Sequence, residues 1–178
     1  MAGGSLITKI EKGIHEDQEE PQRICLNDLL EEELALLTHN LFFKHQVKLK
    51  KAFSAQLPPL DGYYIDFSQS ISNLIQNSIE AMEETDKKEL SVGTDWEDHR
   101  IRVTIRDSGC GVPEEVRSNL FKPFFTTKGG NHFGLGLFVS RKILAPYGAS
   151  FNYGSRDGET LFLVNIPLSK SGQKGEKL

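Results

Sequence analysis

The run Ile101-Arg102-Val103-Thr104-Ile105-Arg106-Asp107-Ser108-Gly109-Cys110-Gly111 changes character along its length. Ile101, Val103 and Ile105 alternate with polar residues, the period-2 pattern of a strand with one face on a core. Asp107 follows directly, with glycines two and four positions on. A carboxylate at a strand end can accept a hydrogen bond from an exocyclic amine, and Gly109 and Gly111 leave the backbone bare enough for a flat ring to approach. A charged acceptor of this kind contributes roughly 1.5 to 3 kcal/mol, enough to discriminate an amino from an oxo substituent. Taken alone, the same residues also suit a glycine-rich turn that caps a short helix at Pro113.

Upstream, Leu90-x-Val92 alternates in the same way, so the two runs predict a hairpin across the polar turn 95–100. Before it, Phe67, Ile71, Leu74, Ile75, Ile79 and Met82 form one apolar stripe of a helix over 65–84. Asn73, Asn77 and Glu80 fall at i, i+4 and i+7 on a polar arc of that helix, close enough to converge on one ligand. A solvated face would carry the same three residues. Two asparagines in mid-helix nevertheless call for a reason, because asparagine is a mediocre helix former. A magnesium ion keeps several waters while bridging phosphates, so one amide oxygen, that of Asn77, can suffice.

Further out, Leu30, Leu34, Leu37 and Leu41 follow Asn27, a good N-cap, and predict one helix over 28–45. Val47, Leu49 and Phe53 alternate like a strand, and 57–62, with two prolines and Gly62, is turn chemistry. Downstream, Pro113, Glu114 and Glu115 suit the first turn of a short helix. The segment 121–137, Phe-Lys-Pro-Phe-Phe-Thr126-Thr127-Lys128-Gly-Gly-Asn-His132-Phe133-Gly134-Leu135-Gly136-Leu137, leads into a helix over 138–144 that ends at Pro146 and Gly148. Glycines opening a helix present N–H groups and a positive dipole end, which favour phosphate. Lys128, Thr126 and Thr127 add a cation and hydroxyl donors. The pattern is no Walker loop, since G-x-x-x-x-G-K-[ST] does not occur. A surface loop with tucked aromatic residues is the plainer alternative. Phe151-x-Tyr153 and Leu161-x-Leu163, joined through Arg156-Asp157-Gly158, close the chain as two strands. Interleaved helices and hairpins predict an α+β, two-layer sandwich, its mixed, mostly antiparallel sheet covered on one face by helices, rather than a doubly wound parallel sheet.

At 178 residues the chain is long enough for one domain, expected over 23–168. Residues 1–22 are expected to be an added cloning scar with the remnant of an upstream helical region, and 169–178 a disordered tail. A net charge of −4 excludes a strongly basic surface, so neither nucleic acid nor anionic lipid is an expected partner. No apolar run approaches the roughly 20 residues that span a bilayer. Cys25 and Cys110 match no metal-ligand spacing and suit a reduced, cytoplasmic setting.

Taken in order, these elements resemble the ATPase family of DNA gyrase, the Hsp90 chaperones, histidine kinases and the MutL proteins. Ser72-Asn73-Leu-Ile-Gln-Asn77-Ser-Ile-Glu80-Ala matches its N box, Asp107-Ser-Gly109-Cys-Gly111-Val112 its G1 box, and Gly134-Leu135-Gly136-Leu137 its G2 box. Phe121-Lys-Pro-Phe-Phe-Thr-Thr-Lys128 looks like the F box of sensor histidine kinases, and Gly158-Glu-Thr160 a final, weaker motif. The resemblance implies a Bergerat-type ATP-binding fold with Asp107 on adenine, magnesium on Asn77, and residues 126–137 as a lid over the phosphates. It implies ATP contacts at Asn73, Gly109, Gly111, Val112, Thr126, Thr127, Lys128, Gly134, Leu135, Gly136, Leu137 and Thr160, with Asn73, Asn77 and Lys128 acting in catalysis. Hydrolysing members carry a glutamate where this chain has Asn73, and an amide cannot take a proton from water at neutral pH. Together with the F box, that selects a sensor histidine kinase, whose γ-phosphoryl group passes from Mg-ATP to a histidine on a dimerisation domain absent from this chain, and then to a response regulator. The alternatives are an ATP-driven clamp or ATPase of the same superfamily and a serine-directed kinase of the anti-sigma type. The chain alone is expected to be monomeric. His132 departs from the kinase pattern, which has glycine there, and His15-Glu16 lies too near Asn77 to be the acceptor.

Overall fold

The computed structural model describes residues 20–126, 133–156 and 158–168. Its main sheet has five strands in the order β2-β4-β5-β7-β6: β2 Lys48–Ala52, β4 Glu89–Glu97, β5 Arg100–Asp107, β6 Ser150–Arg156 and β7 Glu159–Pro167. Only the β2–β4 pairing is parallel. A separate two-stranded sheet pairs β1 Gln22–Ile24 with β3 Leu60–Gly62. Helices α1 Leu26–Leu36, α2 Leu41–Gln46, α3 Tyr64–Ala81 and α4 Gly136–Leu144 complete the described elements, with 3-10 turns at Leu37–His39, Glu114–Asn119 and Ala145–Tyr147.

The expected α+β sandwich is what forms. Leu90 and Val92 on β4, Ile101, Val103 and Ile105 on β5, and Phe162, Val164 and Ile166 on β7 alternate onto one face, all buried. The stripe of Phe67, Ile71, Leu74, Ile75 and Ile79 on α3 lies in the same core, and α4 packs along α3. Asp98 (φ 51°) and His99 (φ 59°) occupy the two left-handed positions of a tight two-residue turn, so the β4–β5 hairpin is longer than its polar sequence suggests.

Three local expectations are corrected. The helix over 28–45 is two helices, because Asn40 leaves the helical region (ψ 114°) and its side chain accepts from the Phe43 amide, starting α2 afresh. Leu41, assigned to the apolar stripe, is consequently 71% exposed. Asn27 does not cap α1: it sits inside the helix, donates Nδ2 to the Ser54 carbonyl and accepts from Thr94 Oγ1, tying the helix to the sheet. Finally, Leu60–Gly62 is a strand, recruited by β1. Tyr147 Cε1 and Phe67 Cε2 would lie within 2.8 Å of any Cβ on Gly62, so close packing explains that glycine.

Candidate functional site

Continuing the buried alternation of β5 by one step past Ile105 places Asp107, and continuing that of β7 one step before Phe162 places Thr160. The register pairs these two residues directly, and they are 1% and 3% exposed. Residues 53 positions apart thus share the end of the sheet, on its helix-covered face. Beside them the chain between β5 and the next turn is tightly braced. Gly109 N donates to Asp107 Oδ1 (3.0 Å), Cys110 N to the Ala81 carbonyl at the end of α3 (3.0 Å), and Val112 N to Ser155 Oγ (2.8 Å). Arg117 reaches the Ser155 carbonyl (3.1 Å), and Ser108 Oγ donates to the Lys87 carbonyl (2.8 Å).

The two glycines of this segment do different work. Gly111 adopts φ +74° and lines the cavity described below. Gly109 instead backs onto α3, where a Cβ would meet the Ala81 Cβ and carbonyl oxygen at 2.7 Å, and it does not line the cavity. Its observed constraint is helix packing.

A cavity of about 400 Å³ opens between this sheet end, the C-terminal half of α3 and the start of α4. Asn73, Gln76, Asn77 and Glu80 face it from α3. Asn77 Nδ2 donates to the Asn73 carbonyl one turn back (2.8 Å), so coordination by this side chain would run through Oδ1. Gln76 Nε2 donates to Glu80 Oε1 (3.2 Å). Asn73 Nδ2 points the other way, to the Gly136 carbonyl (3.4 Å) and Ser140 Oγ (3.2 Å) on α4. Opposite, Gly134 takes φ +64° with the Phe125 carbonyl oxygen 2.4 Å from where a Cβ would stand, so the approach to α4 admits no side chain there. A Cβ on Gly136 would have ordinary clearance, 3.7 Å from Asn77 Nδ2 and 3.8 Å from Asn73 Cγ, but it would stand beside the two asparagines that face the cavity. Leu135, at the N-cap position of α4, makes no side-chain cap, and the opening residue of that helix, Gly136, lines the cavity with Asn73 and Asn77.

Asn73, Asn77, Asp107, Gly111, Val112 and Thr126 therefore line one cavity together with Gly134, Leu135, Gly136, Leu137 and Thr160. Thr127, Lys128 and His132 lie outside the described residues. The sequence reading passed over the apolar walls: Leu120, Phe125 and Phe162, and Phe133, which is 76% exposed at the cavity. The expected alternation Leu161-x-Leu163 marks the wrong face of β7: those two leucines are half-buried, and Phe162, Val164 and Ile166 face the core; nothing local marked Leu120. Cys110 also lines the cavity, and both cysteines are free thiols. Away from the cavity, Tyr147 donates to Asp66 Oδ2 (2.6 Å) and accepts from the Tyr63 amide (3.1 Å), and burial with the carboxylate pushes its phenol well above the ordinary value.

Comparison with known proteins shows the family and the fold. Residues 62–170 match the family described as histidine kinase-, DNA gyrase B-, and HSP90-like ATPase. The sensory histidine kinase/phosphatase NtrB of Azospirillum brasilense is 31% identical over 146 residues, covering 74% of this chain and 36% of that protein. The sensor protein FixL of Bradyrhizobium diazoefficiens is 32% identical over 174 residues, covering 95% of this chain and 34% of that protein. The chain thus spans about a third of the length of these relatives. Among solved structures, the catalytic domain of histidine kinase ThkA superposes with a TM-score of 0.73 at 28% identity, covering 84% of this chain and 96% of that one.

Proposed function

The chain belongs to the histidine kinase-, DNA gyrase B- and HSP90-like ATPase family, as an ATP-binding catalytic domain of the sensor histidine kinase kind, and from that premise we propose how its residues divide the work. Adenine sits against Asp107 and Thr160 between the walls of Val112, Leu120 and Phe162. The phosphates run toward the N-terminal start of α4. The observation that carries this reading is one cavity that joins a buried carboxylate at a sheet end to the opening residues of α4 across Asn73 and Asn77. An acceptor suits the adenine amine, and helix amides suit phosphate oxygens.

Magnesium fits the donor set. Among the described residues no group of three or more His, Cys, Asp or Glu side chains could cage a metal ion. An ion held mainly by phosphate oxygens and water needs only a protein oxygen such as Asn77 Oδ1, and would supply charge neutralisation at the transferring group. Asn73 stands where hydrolysing relatives carry a base. Its Nδ2 donates to the α4 carbonyl of Gly136, a contact that a carboxylate could not make without setting two acceptors against each other. Water therefore lacks a base, and the γ-phosphoryl group is left for another nucleophile.

That nucleophile is a histidine imidazole on a dimerisation domain of the longer protein, and a response regulator receives the group afterwards. Lys128, Thr126 and Thr127 assist at the phosphates, and this chain by itself is a monomer. No described helix is long and apolar enough to cross a membrane, and the reading places the domain in the cytoplasm. The test mixes this chain with γ-labelled Mg-ATP and a separate fragment carrying the acceptor histidine. Acid-labile, base-stable label on the fragment is expected; acid-stable label would indicate a hydroxyl acceptor, and steady phosphate release with no labelled fragment would overturn transfer in favour of hydrolysis.

A further inference from the structure

Ser140 lies on the second turn of α4, fully buried, four residues after Gly136 and away from every box that the sequence singles out. Its hydroxyl is the meeting point of the α3–α4 seam. It accepts from Asn73 Nδ2 at 3.2 Å and faces two carbonyl oxygens, Gly136 at 2.9 Å and Ser70 at 3.3 Å. A hydroxyl carries one proton and can accept while it donates, so it serves Asn73 and one of the two carbonyls together. The first carbonyl belongs to the opening residue of α4 and the second to α3.

We propose that Ser140 is a positioning residue for phosphoryl transfer: its hydroxyl holds the Asn73 carboxamide in one orientation and fixes the start of α4 against α3. This rests on the functional reading above. With Nδ2 engaged by Ser140 and Gly136, the carboxamide can offer the cavity only Oδ1, an acceptor. Without the hydroxyl, the longer 3.4 Å contact to Gly136 would be the remaining restraint on Nδ2, and the amide could turn its donors inward. The same loss frees the first turn of α4, whose amides meet the phosphates. The base end is untouched, because Asp107 and Thr160 are held by the β5–β7 ladder.

Ser70 supplies the control. It is equally buried in the same seam, but its own hydroxyl has no hydrogen-bond partner among the described residues. Only its backbone carbonyl faces Ser140, and Ser70→Ala keeps that. The experiment measures binding of adenosine, by NMR titration, and of a β,γ-imido ATP analogue with magnesium, by calorimetry, to this chain and its variants. Ser140→Ala is expected to weaken the ATP analogue about fivefold to tenfold while leaving adenosine within about twofold. Ser70→Ala should leave both unchanged. Asn73→Ala combined with Ser140→Ala should weaken the analogue by less than the two single losses combined, the signature of coupling. Ser140→Cys, which fills the site with a slightly larger side chain that is a weak hydrogen-bonding group, should behave like Ser140→Ala and covers the case in which the alanine variant folds poorly. Equal losses for adenosine and the analogue, equal losses in Ser70→Ala, or additive losses with Asn73→Ala would each overturn the assignment. An unmodified chain that binds neither ligand would instead overturn the nucleotide-binding reading itself, and this assignment with it.

Discussion

Asp107 and Thr160 hold one end of the cavity between paired strands, whereas the other end rests on a seam between two helices, where Asn73 reaches Gly136 and Ser140. The first is set by a continuous ladder of backbone hydrogen bonds, with neighbouring turns braced onto Ala81 and Ser155. The second depends on a few side-chain contacts of 3.2 to 3.4 Å. A ladder fixes a carboxylate without help from the ligand. A side-chain seam can be undone by a single hydroxyl. The same residue type, glycine, accordingly has a different reason at each end.

The comparison is tested most severely at the carboxylate. Asp107→Asn keeps an oxygen for the Gly109 amide, so the fold should survive, but the charged acceptor is lost. ATP affinity measured by calorimetry should fall by about 1.5 to 3 kcal/mol, roughly tenfold to 150-fold. Affinity within a factor of two of the starting value would remove Asp107 from the base site.

The glycines come next. In Gly109→Ala the new Cβ meets helix backbone at 2.7 Å, which should cost about 1 to 3 kcal/mol of stability, read as a drop of several degrees in melting temperature. Gly136→Ala should melt at or slightly above the original temperature, since alanine favours a helix. Its methyl stands near Asn73 and Asn77, so ATP should bind about tenfold more weakly. If Gly109→Ala spared the fold, or Gly136→Ala spared binding, the contrast between a packing glycine and a ligand-side glycine would fail.

Tyr147 is a smaller and more distant check. Tyr147→Phe removes the hydroxyl that bridges Asp66 and the Tyr63 amide, and should cost about 1 kcal/mol of stability with ATP affinity unchanged. A change in ATP affinity would show that the α3 start communicates with the cavity. The smallest effect is at alkaline pH. Burial and Asp66 raise the Tyr147 phenol, and burial with Glu32 pushes Tyr64 up to about 12. A raised folded value means that this stability is present below the ordinary value of 10 and is lost as pH climbs through the folded value. Denaturation midpoints should therefore decline between about pH 10 and 12, and less steeply in Tyr147→Phe.

The legibility of each region follows its physics. The stripe on α3 and the alternation on β4 and β5 were plain because one face of each is buried, and burial imprints its period on the sequence. On β7 the run Leu161-Phe162-Leu163-Val164 is apolar throughout, so Leu161-x-Leu163 was read where Phe162 and Val164 face the core. Asp107 and Thr160 were visible as positions, but their adjacency was not, since register is set by pairing across 53 residues. Asn27 was expected as the N-cap of a helix over 28–45, in which Asn40 was an unremarked interior position. Asn40 became the cap because its side chain reached Phe43, while Asn27 was drawn to Ser54 and Thr94 on another element. Leu60–Gly62 carried turn chemistry and became a strand because β1 supplied a partner.

Local periodicity and ordered motifs were enough to determine the α+β layers, the family, and most of the cavity's polar residues, because each depends on a residue's type and its near neighbours. Tertiary structure alone decided that Gly109 serves the Ala81 turn, that Asn73 turns its amide toward α4, and that Ser140 joins the two helices. Those facts depend on which distant atom comes within 3 to 4 Å, and that distance is fixed only when the helices pack.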